Sequence, residues 1–238
     1  MVSLRALIAC RTRKIYTVFY SEARKEKYPK EYAYLCHRAD DKLFELKVCS
    51  KEEIERLANG RTHGGVLALC GERKYEDFSK DALTENGFFV MTEGVEDPYN
   101  FGFALRSLYA SGADGVILTS GIRSGADGTV CCSSAGASER IPVYTGRAEE
   151  CAAIFKNAGY KIICADLPDS VPVYDADLRR PLLLVIGGEK RGITRSVLDQ
   201  SDAIVRIEYG REFDQSLSAS SASSILAFEV FRQNRAGK

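Results

Sequence analysis

FFVMTEGVEDPYNFGFALRSLYASGADGVILT, residues 88–119, is the stretch whose reading decides the fold. FFVMTEG (88–94) is a short apolar run and reads as a buried strand. PYNFGFALRSLYASG (98–112) follows as a helix, started by Pro98 at its first turn and stopped by Gly112 just past its last. GVILT (115–119) is a strand again. The same rhythm continues downstream. AEECAAIFKNAG (148–159) is a helix, and YKIICAD (160–166) and PLLLVIGG (181–188) are strands. A short helix near 194–200, the strand AIVRIEY (203–209) and a final helix complete it. Continuous β-branched runs alternating with helices imply a parallel sheet covered on both faces. Ligands of such sheets sit at the carboxyl ends of the strands. The candidate loops are therefore EGVEDPYNFG, GGEKRG and EYGREFDQS.

Upstream the rhythm differs. The first thirty residues are basic and aromatic (Arg11, Arg13, Lys14, Tyr16, Tyr20, Arg24, Lys25, Lys27, Lys30) and read as an amphipathic helix with a solvated basic face. LFELKVCS alternates like a strand. Ser50 and Glu53 form a capping box opening the helix KEEIERLAN. GGVLALC (64–70) is another strand, and RKYEDFSKDALTEN (73–86) is polar enough to be a linker. The expected domains are thus 1–85 and 86–238.

Composition narrows the function. The 238 residues are 45% hydrophobic, ample for a large core. The formal net charge is zero, which excludes a strong global field toward nucleic acid. The charge is unevenly spread: residues 1–85 hold 17 Lys and Arg against 14 Asp and Glu, a balance of +3, and the remainder carries −3. The eight cysteines contain no CxxC pair and the only histidines are His37 and His63, so no metal site is expected. No apolar run approaches the ~20 residues of a membrane span. The start MVSLRALIACRTRK has its apolar run before its basic residues, the reverse of a secretory signal. A cytoplasmic protein with reduced thiols, no membrane and no metal is expected.

Three features carry candidate chemistry. GGEKRG (187–192) lacks the spacing of a dinucleotide fingerprint or a phosphate loop, and a tight turn explains its glycines equally well. Glu189 inside it needs donors or a basic partner. Asn100 and Gly102 begin an otherwise apolar helix that carries Arg106, whose planar fork suits a phosphate or carboxylate. Finally, six serines crowd residues 216–224. Serine is a mediocre helix former, so these serve close packing or binding.

In order, EGVEDPYNFGFALRSLYASGADGVIL, SSAGASERIPV (133–143), LLLVIGGEKRGIT (182–194), and IVRIEYG with SLSASSASSILAFEVFRQ resemble the motifs of the SpoU/TrmH family across residues 88–234. These are RNA ribose 2′-O-methyltransferases of the SPOUT class. THGGVLALC and the strand and helix before it resemble the substrate-binding domain that often precedes the catalytic one. The resemblance implies an α/β SPOUT-type parallel sheet with a C-terminal trefoil knot, an exception to unknotted topology, preceded by a small α/β substrate-binding domain. It implies S-adenosylmethionine bound by Gly187, Gly188, Ile207 and Leu217. It also implies a homodimer to which the final helix contributes. Arg106, Asn100, Glu189, Ser216 and Ser218 match the family's catalytic positions. The implied partner is RNA, ribosomal rather than transfer RNA.

The chain departs from the pattern in places. Ser216-Leu217-Ser218 stands where the family reads Ser-Leu-Asn, Glu208 replaces a typical proline, and the segment from Ile207 to Ser216 is one residue longer. An RNA-binding or ribosome-assembly paralogue with weak or lost chemistry is the alternative that Ser218 supports. A nucleotide-binding enzyme using GGEKRG lacks an acidic ribose ligand on the next strand. A cysteine nucleophile lacks a partner, since Cys36 and His37 are adjacent and point apart.

Overall fold

The computed structural model describes residues 1–58, 63–119, 125–188 and 191–235, and the chain divides into two compact units, Met1–Lys74 and Tyr75–Lys238. The first unit runs α1 (Val2–Cys10), β1 (Ile15–Ser21), α2 (Glu22–Lys27), α3 (Pro29–Asp40), β2 (Glu45–Cys49), α4 (Lys51–Leu57) and β3 (Val66–Cys70). Its sheet has the order β2-β1-β3, with β2 parallel and β3 antiparallel to β1. Leu4, Leu7 and Ile8 of α1 and Leu35 of α3 bury the face carrying Val18 and Tyr20.

The basic N-terminal stretch is therefore not one helix. IYTVFY is aromatic and β-branched, prefers a pleated surface, and forms β1 between two helices. The capping box is present: Ser50 Oγ accepts from Glu53 N at 3.3 Å, and Ser50 N donates to Glu53 Oε2 at 2.9 Å.

The second unit runs β4 (Glu76–Asp77), β5 (Phe88–Glu93), α5 (Pro98–Ser111), β6 (Gly115–Leu118), α6 (Asp127–Ser133), β7 (Val143–Thr145), α7 (Ala148–Asn157), β8 (Lys161–Ala165), β9 (Val171–Pro172), β10 (Leu182–Gly187), α8 (Arg195–Leu198), β11 (Ala203–Arg206) and α9 (Ala219–Asn234). Among the described residues eight strands form one sheet, β4-β7-β6-β5-β10-β8-β11-β9, and every neighbouring pair is parallel. Alternation along the strands feeds two cores. Phe88, Val90, Leu182 and Leu184 pack with Leu105 and Leu108 of α5 and Leu226 and Val230 of α9. Phe89, Met91, Leu183 and Val185 pack with Phe155 of α7 and Val197 of α8. Covered on both faces, β5 and β6 are buried throughout.

RKYEDFSKDALTEN is not a linker. Glu76 and Asp77 pair with Tyr144 and Thr145 of β7, and the buried Phe78 stacks on Phe155 with ring centroids 4.8 Å apart. That apolar anchor moves the boundary from near residue 85 to Lys74. The charge asymmetry doubles as a result: Met1–Lys74 holds 16 Lys and Arg against 10 Asp and Glu, a balance of +6, and the rest holds −6. All eight cysteines are free. No helix among the described residues is long and apolar enough to cross a membrane.

Candidate active site at the ends of β5 and β10

Adjacent parallel strands end together, so β5 and β10 deliver Glu93–Gly94 and Gly187–Gly188 to one place. Gly188 N donates to Glu93 O at 2.6 Å. The turn after β10 folds back on itself, with Gly192 N donating to Gly188 O at 3.0 Å. Glycine is needed here for close backbone approach. A Cβ on Gly187 would lie 2.7 Å from the Gly192 carbonyl carbon, and one on Gly188 would overlap the Gly94 carbonyl. The tight-turn reading of GGEKRG thus explains these glycines, and the turn packs against the end of β5. Glu189 lies outside the described residues.

Glu93 anchors this closure and was missed in the sequence. Its carboxylate is buried and accepts from Thr194 N at 3.2 Å, so it ties the end of β5 to the far side of the turn. The available signal was a carboxylate closing an otherwise apolar run.

The helices bring the first and last motifs together. Asp97 caps α5, accepting from Tyr99 N at 3.4 Å and Asn100 N at 3.0 Å. Ser218 caps α9, its Oγ accepting from Ser221 N at 3.2 Å. The two helices pack side by side. Ser220 Oγ donates to Asn100 Oδ1 at 3.3 Å, and the hydroxyls of Ser107 and Ser224 meet at 2.7 Å. Asn100 and Ser107, seven apart, share one face of α5, and Ser220 and Ser224, four apart, share one face of α9. Ser223 is buried with its hydroxyl bonded to Ala219 O at 2.6 Å. The serine run is thus a close helix–helix seam plus a cap.

The remaining predicted residues lie around this seam. Ile207, just past β11, packs against the same core as Ile186 and Ala219. Leu217 is half-buried and its N donates to Tyr209 Oη at 3.1 Å, while Ser216 is exposed. Among the described residues no hydrogen bond satisfies the backbone amides from Glu208 to Ser216, which leaves them available to a ligand. Arg106 lies off the seam, on the exposed face of α5 with Tyr99 and Phe103, and meets no hydrogen-bonding or ionic partner among the described residues.

The competing chemistries gain nothing from this geometry. Among the described residues no three His, Cys, Asp or Glu side chains converge as metal ligands. Burial pushes the Cys151 thiol up to about 11 and the Cys164 thiol up to about 12, so both stay protonated at neutral pH.

The SpoU rRNA Methylase family model matches residues 87–228. A TrmH family tRNA/rRNA methyltransferase of Staphylococcus haemolyticus is 31% identical over 84% of this chain and 82% of its own length. Its counterpart in Staphylococcus saprophyticus is 33% identical over 77% and 75%. The crystal structure of an AdoMet-bound rRNA methyltransferase from Sinorhizobium meliloti superposes with a TM-score of 0.81 at 20% identity, covering 99% of this chain and 85% of that one. An RNA 2′-O ribose methyltransferase superposes with a TM-score of 0.79 at 22% identity, covering 97% and 85%. The model match takes in the β5–α5 start, the turn after β10 and most of α9, the three places that the fold joins, and by that match and those relatives the chain belongs to the SpoU rRNA Methylase family.

Proposed function

We propose that this protein transfers a methyl group from S-adenosylmethionine to a ribose 2′-hydroxyl of RNA, ribosomal rather than transfer RNA, and does so in the cytoplasm as a homodimer. The observation that carries the reading is the Ser220–Asn100 hydrogen bond, which joins the first and last motifs at one point. The residues present fit S-adenosylmethionine. The closed turn at Gly187 and Gly188, Ile207 and Leu217 offer apolar surface and backbone groups, and the unbonded amides after Glu208 supply donors. When bound, S-adenosylmethionine supplies an electrophilic methyl group on a sulfonium.

The chain's own part is to position and to stabilise charge. Arg106 keeps its proton at any ordinary pH, so it clamps the RNA phosphate and stabilises charge developing on the 2′-oxygen. Asn100, held by Ser220, fixes the start of α5. Glu189 orients the turn or an arginine. Ser218, with Ser216 and Leu217 before it, sets the start of α9. Asparagine and serine are equivalent helix caps, so Ser218 keeps the one role that the structure displays for this position.

A second copy completes the site in this reading. Tyr99, Phe103 and Tyr109 of α5 are 58%, 47% and 43% exposed, and Phe228 and Phe231 of α9 are 46% and 44% exposed. The α5 aromatics share the exposed face that carries Arg106, and exposed aromatics on both packed helices suit a self-complementary interface. The trefoil knot belongs to the same proposal. β11 is separated from β5 by β8 and β10, yet α9 returns from it to pack on α5, as a threaded C-terminal segment would. The Met1–Lys74 unit serves as the RNA substrate-binding domain, with Arg11, Arg13, Lys14 and Lys27 on its footprint, and its +6 balance supports this.

Calorimetric titration of S-adenosylmethionine, with S-adenosylhomocysteine beside it, tests the reading. One site per chain is expected, followed by methyl transfer that protects one ribose from alkaline cleavage. A folded protein that binds neither compound would refute it and leave the RNA-binding paralogue.

A further inference from the structure

The first unit contains an open groove that none of the proposed catalytic residues uses. It encloses about 610 Å³, within the range of small-ligand sites. Phe19 of β1 and Cys49 of β2 line it from the sheet and Leu57 of α4 from the helix, Lys47 and Arg56 form its rim, and Val48, the register partner of Tyr20 on the other face, borders it at the β2 edge. The groove exists because the two faces of this sheet are covered unequally. Residues in register share a face, which places Phe19, Lys47 and Leu67 together, with Thr17 and Leu69 beside them. The opposite face is buried by α1 and α3. This one carries the short helix α4, and Leu57 and Leu69 stay exposed.

The charges have a definite balance. Glu53 also lines the groove, but its carboxylate is committed to the Ser50 amide at 2.9 Å. Lys47 pairs with Glu45 at 3.1 Å, and both side chains are more than half exposed (51% and 60%), so solvent makes that pair cheap to open. Arg56 spends only its Nε, on Glu52 O at 3.4 Å. The rim therefore offers an ammonium and the outer edge of a guanidinium beside an aromatic ring, on the unit with the positive balance. Single-stranded RNA is bound by this combination, with a base stacked on an aromatic side chain and the adjacent phosphates on cations.

We propose that this groove seats an unpaired nucleotide of the RNA substrate, its base on Phe19 and its flanking phosphates on Lys47 and Arg56. The proposal rests on the reading of the chain as an RNA methyltransferase. It identifies the part of the RNA that the first unit grips, a single-stranded segment rather than a duplex.

The test uses the full chain and a single-stranded oligouridylate carrying 4-thiouridine. Photocrosslinking should attach it to the peptides containing Phe19, Val48 or Leu57. By fluorescence anisotropy, Lys47→Glu with Arg56→Glu should bind roughly tenfold or more weakly, and the slope of log affinity against log salt should fall by about 1.4, near 0.7 for each lost phosphate. Phe19→Leu keeps the apolar bulk and should lose roughly fivefold without changing that slope. S-adenosylmethionine titration of each variant should match the parent, which separates loss of the groove from loss of the fold. Crosslinks confined to other surfaces, with variants binding as the parent does, would overturn the groove while leaving the methyltransferase reading intact, and would leave the groove to a protein partner. A parent protein that binds neither RNA nor S-adenosylmethionine would overturn both.

Discussion

At the residue scale, Ser218 departs from the motif and still caps α9. As a cap it satisfies one amide at the start of α9, and losing such a cap costs about 1 kcal/mol. Ser218→Ala should lower stability by that amount in urea unfolding and weaken S-adenosylmethionine binding, because Leu217 precedes the freed helix end. Ser218→Asn should retain both properties, since its amide oxygen can cap. Arg106 makes the opposite prediction. It has no described partner to lose, so Arg106→Lys should leave the unfolding midpoint and S-adenosylmethionine affinity unchanged. The methyl-transfer rate should fall roughly 10²-fold, because the ammonium keeps the charge and loses the planar fork. Single-turnover kinetics with the RNA substrate would check this. Arg106 was legible in the sequence as a cation on an apolar helix, and Asn100 as a residue at that helix start. Their separation onto different faces of α5 was not, because it depends on where α9 packs.

At the element scale, α5 is held between two neighbours by small residues. Gly102 faces α6: a Cβ there would sit 2.9 Å from the Val130 carbonyl oxygen and would run into the Ser133 hydroxyl. A backbone oxygen cannot step aside, so Gly102→Ala should destabilise the second unit by about 1–3 kcal/mol in thermal or urea unfolding despite alanine's better helix propensity. α9 supplies a pH-dependent contribution. The buried Glu229 accepts from Arg232 at 2.7 Å and 2.8 Å and from Gln233 at 2.9 Å. The hydrogen bonds from Arg232 hold its carboxyl below the usual range against the opposing effect of burial, and the one from Gln233 adds to this. A depressed carboxyl stabilises the fold above its unfolded pKa of about 4.3 and loses that contribution as pH falls through the folded value. Arg232 is 58% exposed, so solvent limits the effect to under about 1 kcal/mol. Unfolding midpoints measured from pH 6 down to pH 3 should therefore fall less for Glu229→Gln than for the parent.

At the scale of the whole molecule, the exposed aromatics of α5 and α9 predict association. Sedimentation should find the parent as a dimer at micromolar concentration. Phe103→Glu with Phe228→Glu should yield a folded monomer that has lost methyl transfer, because Phe103 shares the exposed face of α5 with Arg106. A parent that sediments as a monomer would remove the interface, and with it the shared site. The position of the boundary between the two units also belongs to this scale. Residues 73–86 look like a linker because their composition is polar. One ring, Phe78, stacked on Phe155, makes their first half part of the sheet.

The sequence by itself determined the parallel α/β core, since short continuous apolar runs alternating with helices fit a sheet covered on both faces. It also marked the capping box at Ser50 and the two ends of α5, Pro98 in its first turn and Gly112 just past its last, because these signals act within a few residues. The tertiary structure alone decided which strand ends meet, that β10 enters between β5 and β8, and that the serine run of α9 lies along α5. It alone revealed Glu93 as the anchor of the turn after β10. Strand order and helix pairing depend on contacts between residues about a hundred positions apart, and no local periodicity records which distant surface each will meet.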